Sequence, residues 1–417
     1  MPGRPRRTLS RLTSGLRLDG GRRGSLRSQP LFDYYVILAC TVLLAGLGVL
    51  MGLSSSSVYA QSLGRTPFYF AIRQLVFLAV GTIAAVIVAR MAPRTLRALG
   101  GLAYGGAVLL LVLVFTPLGG DAGKGNRAWL NLGPLGGVQP SEFAKFALVL
   151  IGSSYLAARG PRIGRIRDVS GYVALYAVVG LLVIAQGDMG TAMIIGLMML
   201  AQMWAFGVPK RYVLGLVGLA VLGAAGLVVT TPYRLQRVMA FLGGGQDDAV
   251  SQQPLSAIYA LASGGWWGVG IGASRQKWGG LYDGAQNDYV FAVLGEEMGL
   301  VGTLSVIALF TLLAWAGTRV ALRSESAFLR TAAATVTAWT TVQALVNMAV
   351  ALHLLPVVGV PLPFISIGGS ALISNLAAIG VLLACARHEP DAAEHLAVAR
   401  GSTPPRVTTV VDGGRRD

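Results

Sequence analysis

The chain has 417 residues, 54% hydrophobic and only 12% charged, with a mean hydropathy of +0.64. A soluble domain carries about 25% charged residues, so composition excludes a soluble enzyme, a disordered chain and, with two cysteines, a disulfide scaffold. Lys and Arg number 34 against 18 Asp and Glu, a formal charge of +16 that suits nucleic acid or an anionic membrane surface until the charges are placed.

Residues 1–30 contain eight Arg and no long apolar run. Without an apolar h-region they read as a flexible basic cytoplasmic arm, not a signal peptide. Ten apolar segments follow, at about 31–52, 70–92, 98–116, 141–158, 169–186, 189–208, 211–230, 289–317, 328–352 and 364–386. Many exceed the ~18 residues that suggest a bilayer span. The stretch 169–208 divides in two at Gln186-Gly187-Asp188, because an unbroken helix would run about 60 Å through a core of about 30 Å. The predicted fold is an all-α integral membrane protein of ten transmembrane helices, spanning residues 31–387. A large extracytoplasmic loop, about 231–288, separates helices seven and eight. Residues 388–417 are polar and rich in Pro and Gly, and read as a disordered cytoplasmic tail. Cys40 and Cys385 fall within predicted helices and read as small packing residues.

Threading the ten spans with both termini in the cytoplasm puts 25 of the 34 basic residues inside and eight outside, with Lys145 within a span. That asymmetry is the positive-inside pattern, so most of the net charge reports orientation. No basic face interleaved with aromatics remains for nucleic acid.

The polar residues left outside lie mainly in two loops, about 117–140 and 231–288. Cations pair up there: Lys124 with Arg127, Arg234 with Arg237, Arg275 with Lys277. They are either solvated loop charges or an electropositive cleft for a phosphorylated lipid headgroup, which Arg contacts bidentately and Lys as a point charge. Trp266 and Trp267 suit the headgroup level.

Carboxylates near spans cost about 2.5–3.5 kcal/mol each at a helix centre and need a partner or a task. Glu142 and Lys145, three apart, share a helix face and can pair. Asp188 can cap the next helix through Gly190 and Thr191. Glu296 and Glu297 point apart, and at least one needs a basic partner from another helix. Asp288, just before Tyr289-Val290-Phe291, is either an N-cap or a general base at the membrane boundary. Glycosidases use two carboxylates, whereas transfer from a pyrophosphate donor needs one base and cations for the departing anion. The sequence offers the second set. It has no Walker loop, no G-x-S-x-G elbow and no His/Cys metal cluster.

Six ordered motifs across about 31–387 resemble the SEDS family (shape, elongation, division and sporulation), the FtsW/RodA-type integral-membrane peptidoglycan polymerases. Arg127-Ala128-Trp129-Leu130 followed by Gln139-Pro140-Ser141-Glu142 and Lys145 resembles R-W-L … Q-P-S-E-x-x-K, with one residue inserted. Gln186-Gly187-Asp188-Met189-Gly190-Thr191 resembles Q-P-D-L-G-T, with Gly for Pro. The run from Ser263-Gly264-Gly265 to Lys277 is similar to S-G-G-x-x-G-x-G-x-G-x-S-x-x-K. Asp288-Tyr289-Val290-Phe291 and Gly295-Glu296-Glu297-Met298-Gly299 resemble D-F-I-F and G-E-E-x-G. Leu355 through Ser370 resembles L-P-V-T-G-x-P-L-P-F-x-S-Y-G-G-S, with Val358 for Thr and Ile367 for Tyr.

The resemblance implies a polymerase of lipid II, the undecaprenyl-pyrophosphate-linked disaccharide-pentapeptide. Asp288 falls on the family's catalytic Asp, proposed to deprotonate the acceptor 4-hydroxyl for inverting attack. Lys124, Arg127, Arg234, Arg237, Ser263, Gly264 and Lys277 are assigned to pyrophosphate or headgroup contacts. Glu142, Lys145, Asp188, Glu296, Glu297 and Ser366 are assigned structural roles. No dedicated metal ligands are expected, though a divalent cation, Mg or Mn, could accompany the pyrophosphate. Implied partners are a class B penicillin-binding protein and other divisome proteins, in the bacterial cytoplasmic membrane at the septum. Met51 through Ser57 and Pro67 through Gln74 look more like the division type. The alternatives are an elongation-type polymerase, a lipid II flippase or transporter, and a non-catalytic division scaffold.

Overall fold

The computed structural model describes residues 30–120, 127–131, 133, 137–160, 166–241, 248–281 and 284–399. The basic arm before Pro30, Lys124 and the tail beyond Ala399 lie outside the described residues.

Thirteen α-helices and one small sheet are described. Three helices come first: α1 (Phe32–Ser62), α2 (Tyr69–Arg90) and α3 (Pro93–Leu113). A three-stranded antiparallel sheet follows, β1 (Gly119–Gly120), β2 (Trp129–Asn131) and β3 (Gly137–Val138), in that order. Then come α4 (Pro140–Arg159), α5 (Ile166–Ala185), α6 (Met189–Phe206) and α7 (Lys210–Thr230). Between 231 and 289 lie α8 (Pro232–Phe241), α9 (Asp248–Ser263) and a 3₁₀ turn, Gln276–Trp278. The chain closes with α10 (Val290–Arg323), α11 (Ala327–Ala351), α12 (Gly369–Arg387) and α13 (Pro390–Ala399).

Local chemistry sets several boundaries. Both α3 and α4 begin on proline, whose missing N–H is not needed in a first turn. Asp188 caps α6, its carboxylate accepting from the Thr191 amide at 3.0 Å. Gly207, in the left-handed region at φ 89°, ends that helix with its N–H donating to the Met203 and Trp204 carbonyls.

Eight helices are long and apolar enough to cross a membrane: α1, α2, α3, α5, α6, α7, α10 and α12. Helices α4 and α11, of 20 and 25 residues, occupy the fourth and ninth predicted segments. They carry more polar side chains, and these are buried: Glu142 and Lys145 on α4, Gln343 and Asn347 on α11. Helix α12 is the most enclosed, packing against α2, α11, α4 and α1. By contrast α7 is apolar yet buries none of its side chains, the character of a helix surrounded by lipid.

Two features depart from the sequence reading. Residues 390–399 of the expected disordered tail form α13, anchored by buried Ala392 and started by Pro390, with the Ala393 amide donating to the Glu389 carbonyl at 2.8 Å. The eighth segment is broken: Gly299 sits at φ 67°, ψ −163° inside α10.

Candidate active site

The break at Gly299 frees backbone groups, and the glycine-rich loop after α9 takes them up. The Val269 and Gly270 amides donate to the Glu296 and Glu297 carbonyls (2.9 and 3.1 Å). In return the Leu300 and Val301 amides donate to the Gly265 and Trp266 carbonyls (2.9 and 3.2 Å). This approach leaves no room for side chains. A Cβ at Gly264 would strike the Gly295 carbonyl, and one at Gly268, already at φ +81°, would strike the Glu297 carbonyl.

Side chains reinforce the seam. Glu296 accepts from the Ser274 hydroxyl (2.5 Å) and from the Arg275 and Gln276 amides (2.9 and 3.4 Å). Lys277, only 2% exposed, pairs with Glu297 at 3.0 Å and also donates to the Gly272 carbonyl (2.7 Å) and the Ser54 hydroxyl (3.1 Å). Ser54 in turn donates to Glu297 (2.5 Å), which fastens α1 to the same point. Glu297 thus finds its cation on a loop turn, not on another membrane helix. The Lys277 ammonium is compensated within the protein, so a headgroup role is not what its surroundings favour.

Asp288 is half-buried and stands one residue before the helix cap. The N-cap position itself is Tyr289, which makes no side-chain cap hydrogen bond. The preceding backbone is held by the far end of the chain. Carbonyls of Gln286, Asn287 and Asp288 accept in turn from the Ile367 amide (3.0 Å), the Ser366 hydroxyl (2.7 Å) and the Asn347 side-chain nitrogen (3.1 Å).

Deeper in the bundle, Lys145 pairs with Glu142 at 2.9 Å, both 1% exposed. Its ammonium also donates to Gln343 (2.9 Å) and lies 4.8 Å from the Trp339 ring centre. Glu142 accepts from the Ser374 hydroxyl (3.1 Å). Asp188 accepts a second hydrogen bond from the Gln139 side chain (3.0 Å), and burial pushes its carboxyl above the usual range, against the lowering effect of the Thr191 contacts.

Of the proposed headgroup cations, Arg127 is exposed just before β2. Arg234 and Arg237 lie on α8, and their side chains are outside the described residues, as is Lys124. Arg275 is the exposed member of its pair. Ser263 is exposed and donates to the Ala260 carbonyl (3.0 Å), while Gly264 serves the close approach to α10. Sequence reasoning missed Ser54, Ser274 and Gln343. A run of four serines ending a strongly apolar helix was the available signal for the first. Among the described residues, no group of three or more His, Cys, Asp or Glu could hold a metal ion.

Comparison with known proteins identifies the family. Residues 34–391 match the family model named for FtsW, RodA and SpoVE and described as a cell cycle protein. The probable peptidoglycan glycosyltransferase FtsW of Mycobacterium tuberculosis is 36% identical over 381 residues, 91% of this chain and 72% of the relative. Stage V sporulation protein E of Bacillus subtilis is 34% identical over 359 residues, 85% of this chain and 96% of that protein. Among solved structures, a chain of a peptidoglycan synthase complex described as coordinating polymerization and crosslinking superposes with a TM-score of 0.70 at 28% identity, covering 85% of this chain and 98% of that one. The rod shape determining protein RodA of Thermus thermophilus gives 0.62 at 28%, covering 85% and 96%. A model match over most of the sequence, and relatives above 30% identity matched over 72% and 96% of their own length, establish that this chain is a bacterial membrane protein of the FtsW/RodA/SpoVE family.

Proposed function

We propose that the protein is a peptidoglycan glycosyltransferase that polymerises lipid II at the outer face of the cytoplasmic membrane, with Asp288 as its general base. The observation that carries this reading is Asp288 itself: a half-buried carboxylate on an immobilised backbone, at the mouth of a buried helix and beside a loop whose exposed face keeps Arg275. Asp288 takes the proton of the acceptor sugar's 4-hydroxyl, and the freed oxygen attacks the anomeric carbon of the growing strand. Undecaprenyl pyrophosphate leaves, and the α linkage becomes β. Exposed Arg127 and Arg275 are the described cations suited to the departing pyrophosphate, with Lys124, Arg234 and Arg237 completing the set. Lys277 acts instead through Glu297, as a support of the loop.

Helices α4 and α11 complete ten spans around this site, with both termini in the cytoplasm. The likeness of residues 51–57 and 67–74 to division-type members favours work at the septum, with a class B penicillin-binding protein crosslinking the product and other divisome proteins alongside.

A transporter reading has one observation in its favour, the discontinuous α10, since broken helices mark many transport sites. Four of the backbone groups at the Gly299 break are bonded to the loop, however, and so do not line a path. Purified protein with its crosslinking partner and lipid II is expected to make glycan strands. Asp288→Asn is expected to lose them by about 10²–10⁴-fold, the usual weight of a general base. Normal polymerisation by that variant rejects the assignment; lipid II translocation without polymer supports transport instead.

A further inference from the structure

The geometry points to a specific task for the segment around residues 360–367 and for Asn347 on α11: they form a clamp on the backbone of the base, in which Asn347 and Ser366 are positioning residues for Asp288. The inference rests on the reading of Asp288 as the base.

Three consecutive carbonyls, those of Gln286, Asn287 and Asp288, each receive a donor from this far part of the chain. Asn347 uses both amide protons, one on the Asp288 carbonyl (3.1 Å) and one on the Val360 carbonyl (2.9 Å). Two carbonyl acceptors fix the amide orientation, because an inverted amide would set oxygen against oxygen. Asn347 is 2% exposed, so no water replaces those bonds from bulk. The Ser366 hydroxyl is also fully used, donating to the Asn287 carbonyl (2.7 Å) and accepting from the Leu362 amide (2.8 Å). Asn287, in the amide orientation its neighbours require, donates to the Ile367 carbonyl at 2.7 Å.

The clamp itself is held in a conformation the chain does not choose freely. Phe364 lies at φ 65° while 2% exposed, a state a bulky L residue adopts only where its surroundings enforce it. Ile367 contributes its amide and carbonyl, groups that do not depend on its apolar side chain. With the backbone fixed, the positions open to the Asp288 carboxylate are confined to those its side-chain torsions can reach. That matters because a base must come within about 2.6–3.2 Å of the proton it abstracts, and a misplacement of about 1 Å can cost on the order of 100-fold.

Steady-state polymerisation by the full chain with its crosslinking partner, titrated with lipid II, tests the clamp. Asn347→Leu keeps a similar volume without a buried charge but loses both donors, and Ser366→Ala removes one hydroxyl. Each is expected to lower kcat, by on the order of 100-fold for Asn347→Leu and about 10-fold for Ser366→Ala. KM for lipid II should stay within about twofold, with the loss of kcat exceeding what any fall in the folded fraction at the assay temperature explains, while Ser366→Thr recovers most of the rate. The clamp is overturned if both variants keep wild-type kcat. It is equally overturned if both lose kcat only together with a raised KM and a lowered midpoint. Loss in Asp288→Asn with no loss in the clamp variants rejects the clamp alone; activity in Asp288→Asn rejects the base and the clamp with it.

Discussion

Replacing Lys277 by methionine separates two roles for this cation. The side chain is 2% exposed, and its ammonium has three acceptors, the Glu297 carboxylate among them at 3.0 Å. Methionine fills a similar volume but leaves Glu297 as a buried carboxylate, 1% exposed, supported only by the Ser54 hydroxyl and, at 3.4 Å, the Ser274 amide. Removing one partner of such a pair costs about 3–5 kcal/mol. An unfolding entropy of about 2.1 cal/mol/K per residue, taken over the whole chain, converts that cost to a fall of about 3–6 °C in the unfolding midpoint. The assay is thermal unfolding of the detergent-purified protein, run beside lipid II titration. Lys277→Met/Glu297→Gln removes both charges and is expected to recover much of the lost stability, because no unpaired carboxylate remains. A headgroup contact behaves differently: KM rises while the midpoint stays put. An unchanged midpoint in Lys277→Met, or a double variant as unstable as the two single losses added, refutes the buried-pair account.

Gly268 and Gly272 lie at similar backbone angles, φ +81° and +86°, but a Cβ at Gly268 meets the Glu297 carbonyl while one at Gly272 meets open space. Both alanine variants bear about 1–2 kcal/mol of left-handed strain, so the larger drop in unfolding midpoint is expected for Gly268→Ala; equal drops contradict a tight loop–helix seam. At the other face of the protein, burial, with the Asp33 charge adding to it, pushes the Glu389 carboxyl up to about 7, against Arg323 at 3.9 Å. A folded value above the ordinary carboxylate range of about 4.3 means that its contribution to docking α13 is complete below that range and is lost as pH rises through about 7. Hydrogen exchange of α13, corrected for intrinsic rate, should therefore show protection falling between pH 5.5 and 8.5 in wild type and staying level in Glu389→Gln; protection that rises with pH contradicts the sign.

The membrane architecture was legible because bilayer spans announce themselves by length and hydropathy, and that signal is local. The break at Gln186-Gly187-Asp188 was readable from the length argument, as was the capping contact of Asp188 with Thr191. The pair of Glu142 and Lys145 was visible from i, i+3 spacing. What stayed hidden depended on contacts distant in sequence. No periodicity joins Lys277 to Ser54, 223 residues away, so a lysine in a cationic loop read as a ligand for phosphate. The break in α10 was equally invisible, because Gly299 lies within a long helical segment and its positive-φ backbone meets the loop that docks there only in the folded chain. Asn347 was conspicuous as a polar group within a span, but its acceptors lie in two other segments.

The two clusters bracket one short stretch of chain and solve a problem specific to a water–lipid boundary. A loop there has little apolar interior of its own to bury, so hydrophobic packing alone cannot fix it. Below Asp288, the loop is held by four backbone hydrogen bonds to the broken turn of α10 and by the Glu296 and Glu297 contacts. Above it, three carbonyls are held from Asn347, Ser366 and Ile367. Between them, Tyr289 through Leu294 are at most 1% exposed. Directional bonds therefore locate this segment where packing supplies the rigidity. A carboxylate whose backbone is set between two such anchors is held in place without a deep apolar core around it, which the proposed general-base role of Asp288 requires.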